Sequence, residues 1–150
     1  MKSIVLTTTL VIACLLSACE YKARPDSPIA GTWQLISHTE TTKGVSTVTD
    51  YTKDLRMIKI INETHFAFLV HKLNTPKDST NSFDGGGGTY TLDGNNYTEH
   101  LDYCIAKVWE GHKFDFKIHF KGDTLIQKGQ EKLEKENIDR IIVEKYVRVK

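Results

Sequence analysis

A series of short stretches in which apolar and polar residues alternate constrains the fold of this chain more than any other feature. The clearest runs from Phe114 to Phe120, where apolar residues occupy every second position. Successive side chains of a strand point to opposite faces, so this pattern predicts a strand with one buried and one hydrated face. Similar stretches predict further strands at Gly31–His38, Leu55–Ile61, His65–His71, Thr89–Leu92, Tyr97–Tyr103, Thr124–Lys128 and Arg140–Val149.

Turn residues between these stretches indicate how the strands connect. Asp93-Gly94-Asn95-Asn96 predicts a tight hairpin, and Thr39–Thr52 predicts a hairpin or a polar second strand. Closing such a sheet removes its exposed edges. The predicted fold class is therefore all-β, an eight- to nine-stranded antiparallel up-and-down barrel.

Three segments are less regular. Asn74–Gly88 contains a proline and four consecutive glycines, which predicts a long irregular connection with a bulge at its end, or a lid at a barrel mouth. Gln130–Asn137 is predicted to be a charged connection with one helical turn. The segment from Ile138 to Val149 also fits a helical stripe, but its valines and tyrosine favour a strand.

The N-terminus carries signals for export and anchoring. The apolar run from Ile4 to Leu16 is too short to span a bilayer and is typical of a signal peptide. Leu16-Ser17-Ala18-Cys19 follows it and resembles the bacterial lipobox, whose cysteine is acylated and becomes the new N-terminus. The resemblance implies lipid attachment at Cys19 and the membrane as a partner. A plain secretory signal is the alternative.

These signals divide the chain into a signal peptide at residues 1–18, a lipidated tether at 19–29 and a barrel domain at 30–150. Two prolines and few apolar residues are typical of an extended tether. Position 20 is Glu rather than Asp, so the lipobox resemblance implies no retention in the inner membrane. We expect an outer-membrane lipoprotein that faces the periplasm or the cell surface.

Composition and motifs exclude several classes of function. The 20 basic and 19 acidic residues are scattered without a basic stripe, so no nucleic-acid partner is expected. The sequence has no Gly-x-Ser-x-Gly, Cys-x-x-Cys or His-Glu-x-x-His pattern. We therefore expect no catalytic residues, no metal and no cofactor, and the protein is not predicted to be an enzyme. Cys104 is expected to be a small buried hydrophobe rather than a reactive thiol.

Gly31-Thr32-Trp33 resembles the Gly-x-Trp motif that opens lipocalins and their bacterial lipocalin-like relatives. In that group the tryptophan closes one end of the barrel, and an arginine of the last strand packs across it. Arg148 matches that arginine, with Arg140 as the less favoured candidate. Residues 59–68, 88–92, 97–100 and 142–148 resemble small uncharacterised bacterial lipoproteins with such a domain. The resemblance implies a lipocalin-like barrel closed by Trp33 and Arg148, without an assigned activity.

Glu99 is predicted to be a carboxylate inside the barrel, because it shares a strand face with Tyr97 and Tyr103. Burying a charge without a partner is costly. We therefore expect Glu99 to pair with a cation such as Arg148 or Lys145, or to anchor a ligand near the barrel mouth.

Tyr146 and Arg148 form a second candidate anchor, since an arginine and a tyrosine hold acidic head groups in many fatty-acid-binding barrels. The alternative is that Arg148 only stacks on Trp33 and donates hydrogen bonds to carbonyls. The candidate ligand-binding residues are Glu99, Tyr97, Tyr103, Tyr146 and Arg148.

The predicted function is that of a lipid-anchored cell-envelope protein whose barrel binds a small, partly apolar, hydrophobic ligand. The alternative is a barrel filled by its own side chains that acts as a protein-interaction or envelope-assembly module. An eight-stranded barrel can be just filled by side chains, and the predicted interior phenylalanines are bulky enough to fill it. The presence of a cavity distinguishes the two hypotheses.

Overall fold

The computed structural model describes residues 27–76 and 82–150. The predicted signal peptide, Cys19 and the tether up to residue 26 lie outside the described residues, as do residues 77–81 of the predicted irregular connection. Within the described ranges, no helix is both long enough and apolar enough to cross a bilayer.

Nine antiparallel strands account for most of the described residues. They are β1 (Gly31–Thr42), β2 (Val45–Asp50), β3 (Leu55–Ile61), β4 (His65–Lys72), β5 (Phe83–Asp93), β6 (Asn96–Cys104), β7 (His112–Lys121), β8 (Thr124–Leu133) and β9 (Ile138–Arg148). Short 3-10 helices at Lys107–Trp109 and Glu134–Glu136 precede β7 and β9. The hairpin predicted at Asp93–Asn96 is confirmed, as are the helical turn before β9 and the strand in the last segment. The connection predicted at Gln130–Asn137 is wrong in its first part, because β8 continues to Leu133.

Pairing between β1 and β9 closes the sheet into a barrel. From β3 to β9 each strand pairs with the next, and β1 pairs with β3 at one end of the series and with β9 at the other. These eight strands form the closed ring, and β2 is an additional strand that pairs with the second half of β1 as a hairpin. The predicted all-β antiparallel barrel is confirmed.

A bulge at Ile36 shifts the register of β1 against β9. One extra residue reverses which side chains point inward. Trp33 is buried before the bulge, whereas His38 and Glu40 line the interior after it. Strict alternation along the strand predicted at Gly31–His38 would place Ser37 on the interior face with Trp33, and the bulge shows that this expectation is wrong.

A second bulge, at Asp102 on β6, has the same effect. Leu101 is buried, but Tyr103 is 71 % exposed and Cys104 lines the interior. The prediction that Tyr103 lies inside with Glu99 is wrong, because the extra residue turns its side chain outward. The Cys104 side chain is half-buried rather than fully buried, and burial raises the pKa of its thiol.

The four consecutive glycines lie in a strand and not in an irregular loop, which corrects the prediction for Asn74–Gly88. β5 begins at Phe83, and the irregularity in its pairing with β6, between Gly87 and Gly88, has its extra residue on β6 rather than at the end of the glycine stretch as predicted. A Cβ atom at Gly88 would lie 1.9 Å from the carbonyl oxygen of His100. Glycine is required there because the neighbouring backbone leaves no room for a side chain.

Trp33 seals one end of the barrel. Its indole Nε1 donates a hydrogen bond of 2.8 Å to the carbonyl of Ile29, which the sequence assigns to the tether but which is 1 % exposed in the core. The guanidinium carbon of Arg148 lies 4.1 Å from the Trp33 ring centre, and its Nη1 donates to the carbonyl of Ala30 at 2.6 Å. Phe120, expected on a buried face, is 45 % exposed because β7 reaches the barrel end there.

We expect Gly88→Ala to reduce the free energy of unfolding by about 3 kcal/mol, because backbone atoms of β6 must move to admit the methyl group. The matched control is Gly85→Ala in the same strand, where the nearest atom would lie 3.0 Å from the new Cβ. Urea denaturation of both variants measures the difference. Equal losses in the two variants would contradict the steric explanation.

Candidate functional site

The barrel contains a cavity of about 410 Å³. Aromatic and aliphatic side chains form much of its wall, including those of Phe68, Phe114, Phe116 and Ile142. The lining continues to the half-exposed Glu40 and Arg140 at the end of β1 and β9 away from Trp33. The cavity therefore opens at the end of the barrel opposite the Trp33 seal.

Lys59 lies at the centre of a buried polar cluster. It is 3 % exposed, and its Nζ donates hydrogen bonds of 2.7 Å to Glu99 Oε1 and 3.2 Å to Gln127 Oε1. Burial alone lowers the pKa of Lys59, but the carboxylates of Glu99 and Glu144 outweigh that effect and raise it above its ordinary value. Lys59 is therefore a charged ammonium inside the barrel.

Glu144 forms a second buried cluster on the neighbouring wall. Its Oε2 accepts a hydrogen bond of 2.7 Å from the Tyr146 hydroxyl, and its Oε1 lies 3.2 Å from Nδ1 of His38. Burial acts to raise the pKa of Glu144, but His38, Lys59 and Tyr146 together hold it below its ordinary value. The hydrogen bond to Glu144 raises the pKa of His38 despite partial burial.

Arg140 connects two further carboxylates towards the mouth. Its Nη1 donates to Glu40 Oε2 at 2.7 Å and its Nε donates to Glu131 Oε2 at 2.6 Å. The guanidinium also lies over the Trp109 ring, 5.1 Å from its centre. Burial raises the pKa of Glu131 more than Arg140 lowers it.

The structure brings together some of the predicted site residues and separates others. Glu99, Tyr97 and Tyr146 are buried inside the barrel, and Glu99 lines the cavity. The hydroxyl of Tyr97 is buried and has no hydrogen-bond partner among the described residues. Burial, followed by the Glu99 charge, raises the pKa of Tyr97. Tyr103 faces outward, and Arg148 lies at the sealed end, outside the cavity lining.

The predicted partners of Glu99 need correction. Neither Arg148 nor Lys145 pairs with it, since Lys59 does. The register explains this outcome, because Glu99 on β6 and Lys59 on β3 point into the same interior from opposite walls. The acidic-head-group site predicted for Tyr146 and Arg148 is not assembled either, because the Tyr146 hydroxyl donates to Glu144 and Arg148 caps Trp33.

Sequence reasoning did not identify the remaining polar groups of the interior. Lys59 alternates with Met57 and Ile61, which was a usable sign that it points inward. His38 carried no such sign, because the bulge at Ile36 reverses its side. Gln127, Glu131, Arg140 and Glu144 also line the cavity.

The histidines do not form a metal centre in the part of the chain that the structure describes. No group of three His, Cys, Asp or Glu side chains there is placed to hold an ion. His38 is the histidine that lines the cavity, and its ring nitrogen is engaged with Glu144.

Comparison with known protein families finds a match that spans the barrel. A family model described as "Domain of unknown function (DUF4488)" matches residues 28–150. This range contains all nine strands of the described structure together with the buried Ile29. The search of curated proteins found no match.

We expect Lys59→Met to reduce the free energy of unfolding by about 3–5 kcal/mol, because it leaves Glu99 buried without its cation. Adding Glu99→Gln should restore part of that loss, since the uncompensated charge is removed. Urea denaturation of the single and double variants measures the coupling between the two residues. Lys132→Met, which removes an exposed ion pair with Glu134, is the control and should leave stability nearly unchanged. A Lys59→Met loss as small as that of the control would contradict the proposed role of the buried pair.

Proposed function

The chain belongs to the DUF4488 family, and from that premise we propose that it is a binding protein of the bacterial cell envelope. In this proposal the barrel holds a small, partly apolar molecule in its interior and has no catalytic role. A lipid on Cys19 anchors the protein to the outer membrane, facing the periplasm or the cell surface.

The interior cavity is the observation that carries this proposal. Its volume of about 410 Å³ falls within the usual range for small-molecule pockets, roughly 300–1,000 Å³. Phe68, Phe114 and Phe116 supply apolar wall, and buried polar groups lie among them, since Lys59 is the cross-strand neighbour of Phe68 and Glu99 that of Phe114. Apolar walls with a few placed polar groups are the usual arrangement of ligand pockets.

The alternative function, an interaction module with a filled barrel, has less support. Three of the phenylalanines that could have filled the interior, Phe68, Phe114 and Phe116, instead line open space, whereas Phe66 is buried outside the cavity lining. Phe120, which was expected to contribute bulk, lies half-exposed at the sealed end.

The lipocalin-like assignment is part of the proposal. Gly31-Thr32-Trp33 begins the first barrel strand, and Arg148 of the last strand stacks on Trp33, as in the motif that the sequence resembles. The chain enters the barrel beside Trp33, so a tether from Cys19 would reach the sealed end. The opposite end would remain free for ligand entry.

We expect the full chain, purified from its bacterial host, to carry a bound molecule that native mass spectrometry detects and that delipidation removes. Val70→Trp should reduce or abolish this added mass, because Val70 lines the cavity and the indole would occupy part of it. Leu69→Trp is the matched control, since Leu69 precedes Val70 on β4, is 38 % exposed and does not line the cavity. A clean mass for the wild type, with no uptake from a lipid extract of the host, would instead support the filled-barrel hypothesis.

We expect the full chain to incorporate labelled palmitate in a bacterial host, because the Cys19 thiol is the nucleophile that attacks the lipid donor. Cys19→Ser should remove the label, whereas Cys14→Ser, within the same leader, should retain it. Gel analysis of labelled cells measures both. Equal labelling of the Cys19→Ser variant would exclude Cys19 as the attachment site.

A further inference from the structure

Both strong bases in the described cavity wall are already held by carboxylates. Lys59 donates to Glu99 at 2.7 Å. Arg140 bridges Glu40 and Glu131 at 2.7 and 2.6 Å. A carboxylate or phosphate entering the cavity would therefore meet no free cation, and it would have to displace an internal partner that is itself buried.

The cavity wall also carries an excess of negative charge. Five described carboxylates line it, against two strong bases and one histidine. The formal charge of the wall is therefore −3 with His38 neutral and −2 with His38 protonated. The carboxylates are Glu40, Asp84, Glu99, Glu131 and Glu144.

Resting on the proposed function, we propose that the ligand is a cationic amphiphile, an organic amine with an apolar body. Its amino group lies against Glu131 and Glu144, and its body lies against the phenylalanine wall. A buried charge is tolerated where a partner of opposite sign compensates it, and this wall can supply that partner only to a cation.

The surroundings of Glu131 and Glu144 support this position for the amino group. Burial raises the pKa of Glu131 in spite of Arg140, so the single arginine does not offset the cost of its charge. On the other side, Glu144 lies 3.2 Å from His38, whose protonation depends on that carboxylate. An incoming ammonium can take the place of a proton on His38, which leaves the local charge unchanged.

The apolar wall fits the rest of such a ligand. Phe68, Phe114 and Phe116 are on the lining, and Leu101 and Met57 extend it. An ammonium group is attracted to aromatic faces as well as to carboxylates, so this wall does not oppose a cation.

A matched series of small molecules tests the charge preference in the wild-type full chain. Phenethylamine, phenethyl alcohol and hydrocinnamate share a phenethyl body and differ in a cationic, neutral or anionic head group. Ligand-observed NMR titration should show phenethylamine binding at least about tenfold more tightly than hydrocinnamate, with the alcohol between them.

Substitution of the carboxylates locates the amino group. Glu131→Gln should weaken phenethylamine binding to about the level of the alcohol, and it should weaken phenethyl alcohol binding less than amine binding. Glu134→Gln is the matched control, because Glu134 is an exposed carboxylate outside the cavity.

The outcomes separate the two proposals. Hydrocinnamate binding as tightly as phenethylamine would overturn the cation preference and leave the proposed binding function intact. Equal losses of amine and alcohol binding in Glu131→Gln would overturn the placement of the amino group. Failure of all three molecules to bind would overturn the inference alone, because native mass spectrometry of the wild-type chain tests the binding function separately.

Discussion

The pairing of β1 with β9 is the constraint on which the rest of the structure depends. It joins the two ends of the strand series and so separates an interior from solvent. β1 is long enough to pair with three strands. It pairs with β3 near Trp33, with β9 along most of its length and with β2 beyond the bulge. Closure leaves β2 as the added strand and gives the eight ring strands a partner on each side, which removes unpaired edges from the ring.

Closure of the ring also affects the electrostatic interactions of the charges in its interior. Lys59, Glu99 and Glu144 are buried inside the ring, so they interact more strongly than they would at the surface. The same burial makes any unpaired member costly, which explains why each carries at least one charged or hydrogen-bonding partner. Replacing such a pair with apolar residues is often neutral or stabilising in other proteins. Stability alone therefore does not account for these buried ions, and our proposal assigns them to the selection of a ligand.

Much of the fold could be predicted from alternation and turn residues. The strand at β7, the hairpin after β5 and the contact between Trp33 and Arg148 depend on local pattern or on a recognisable motif. The predicted side-chain orientations are wrong where a bulge interrupts a strand. Single-residue bulges at Ile36 and Asp102 moved His38 and Cys104 inward and Tyr103 outward. The four glycines of β5 predict a loop, because glycine is typical of turns. In the structure they lie in a strand, where the absence of side chains lets the backbone of neighbouring strands approach closely.

The sequence by itself determined the class of fold, the number of strands to within one, and the residue that seals the barrel. The class of fold and the strand count follow from the local periodicity of the sequence, whereas the sealing residue follows from the resemblance of Gly31-Thr32-Trp33 to the lipocalin Gly-x-Trp motif. Only the tertiary structure decided which charges meet. The pairing of Lys59 with Glu99 joins residues 40 positions apart, and that of His38 with Glu144 joins residues 106 positions apart. Such contacts depend on strand register across a closed ring. A single bulge changes that register, and the local alternation of apolar and polar residues does not show where the bulge lies.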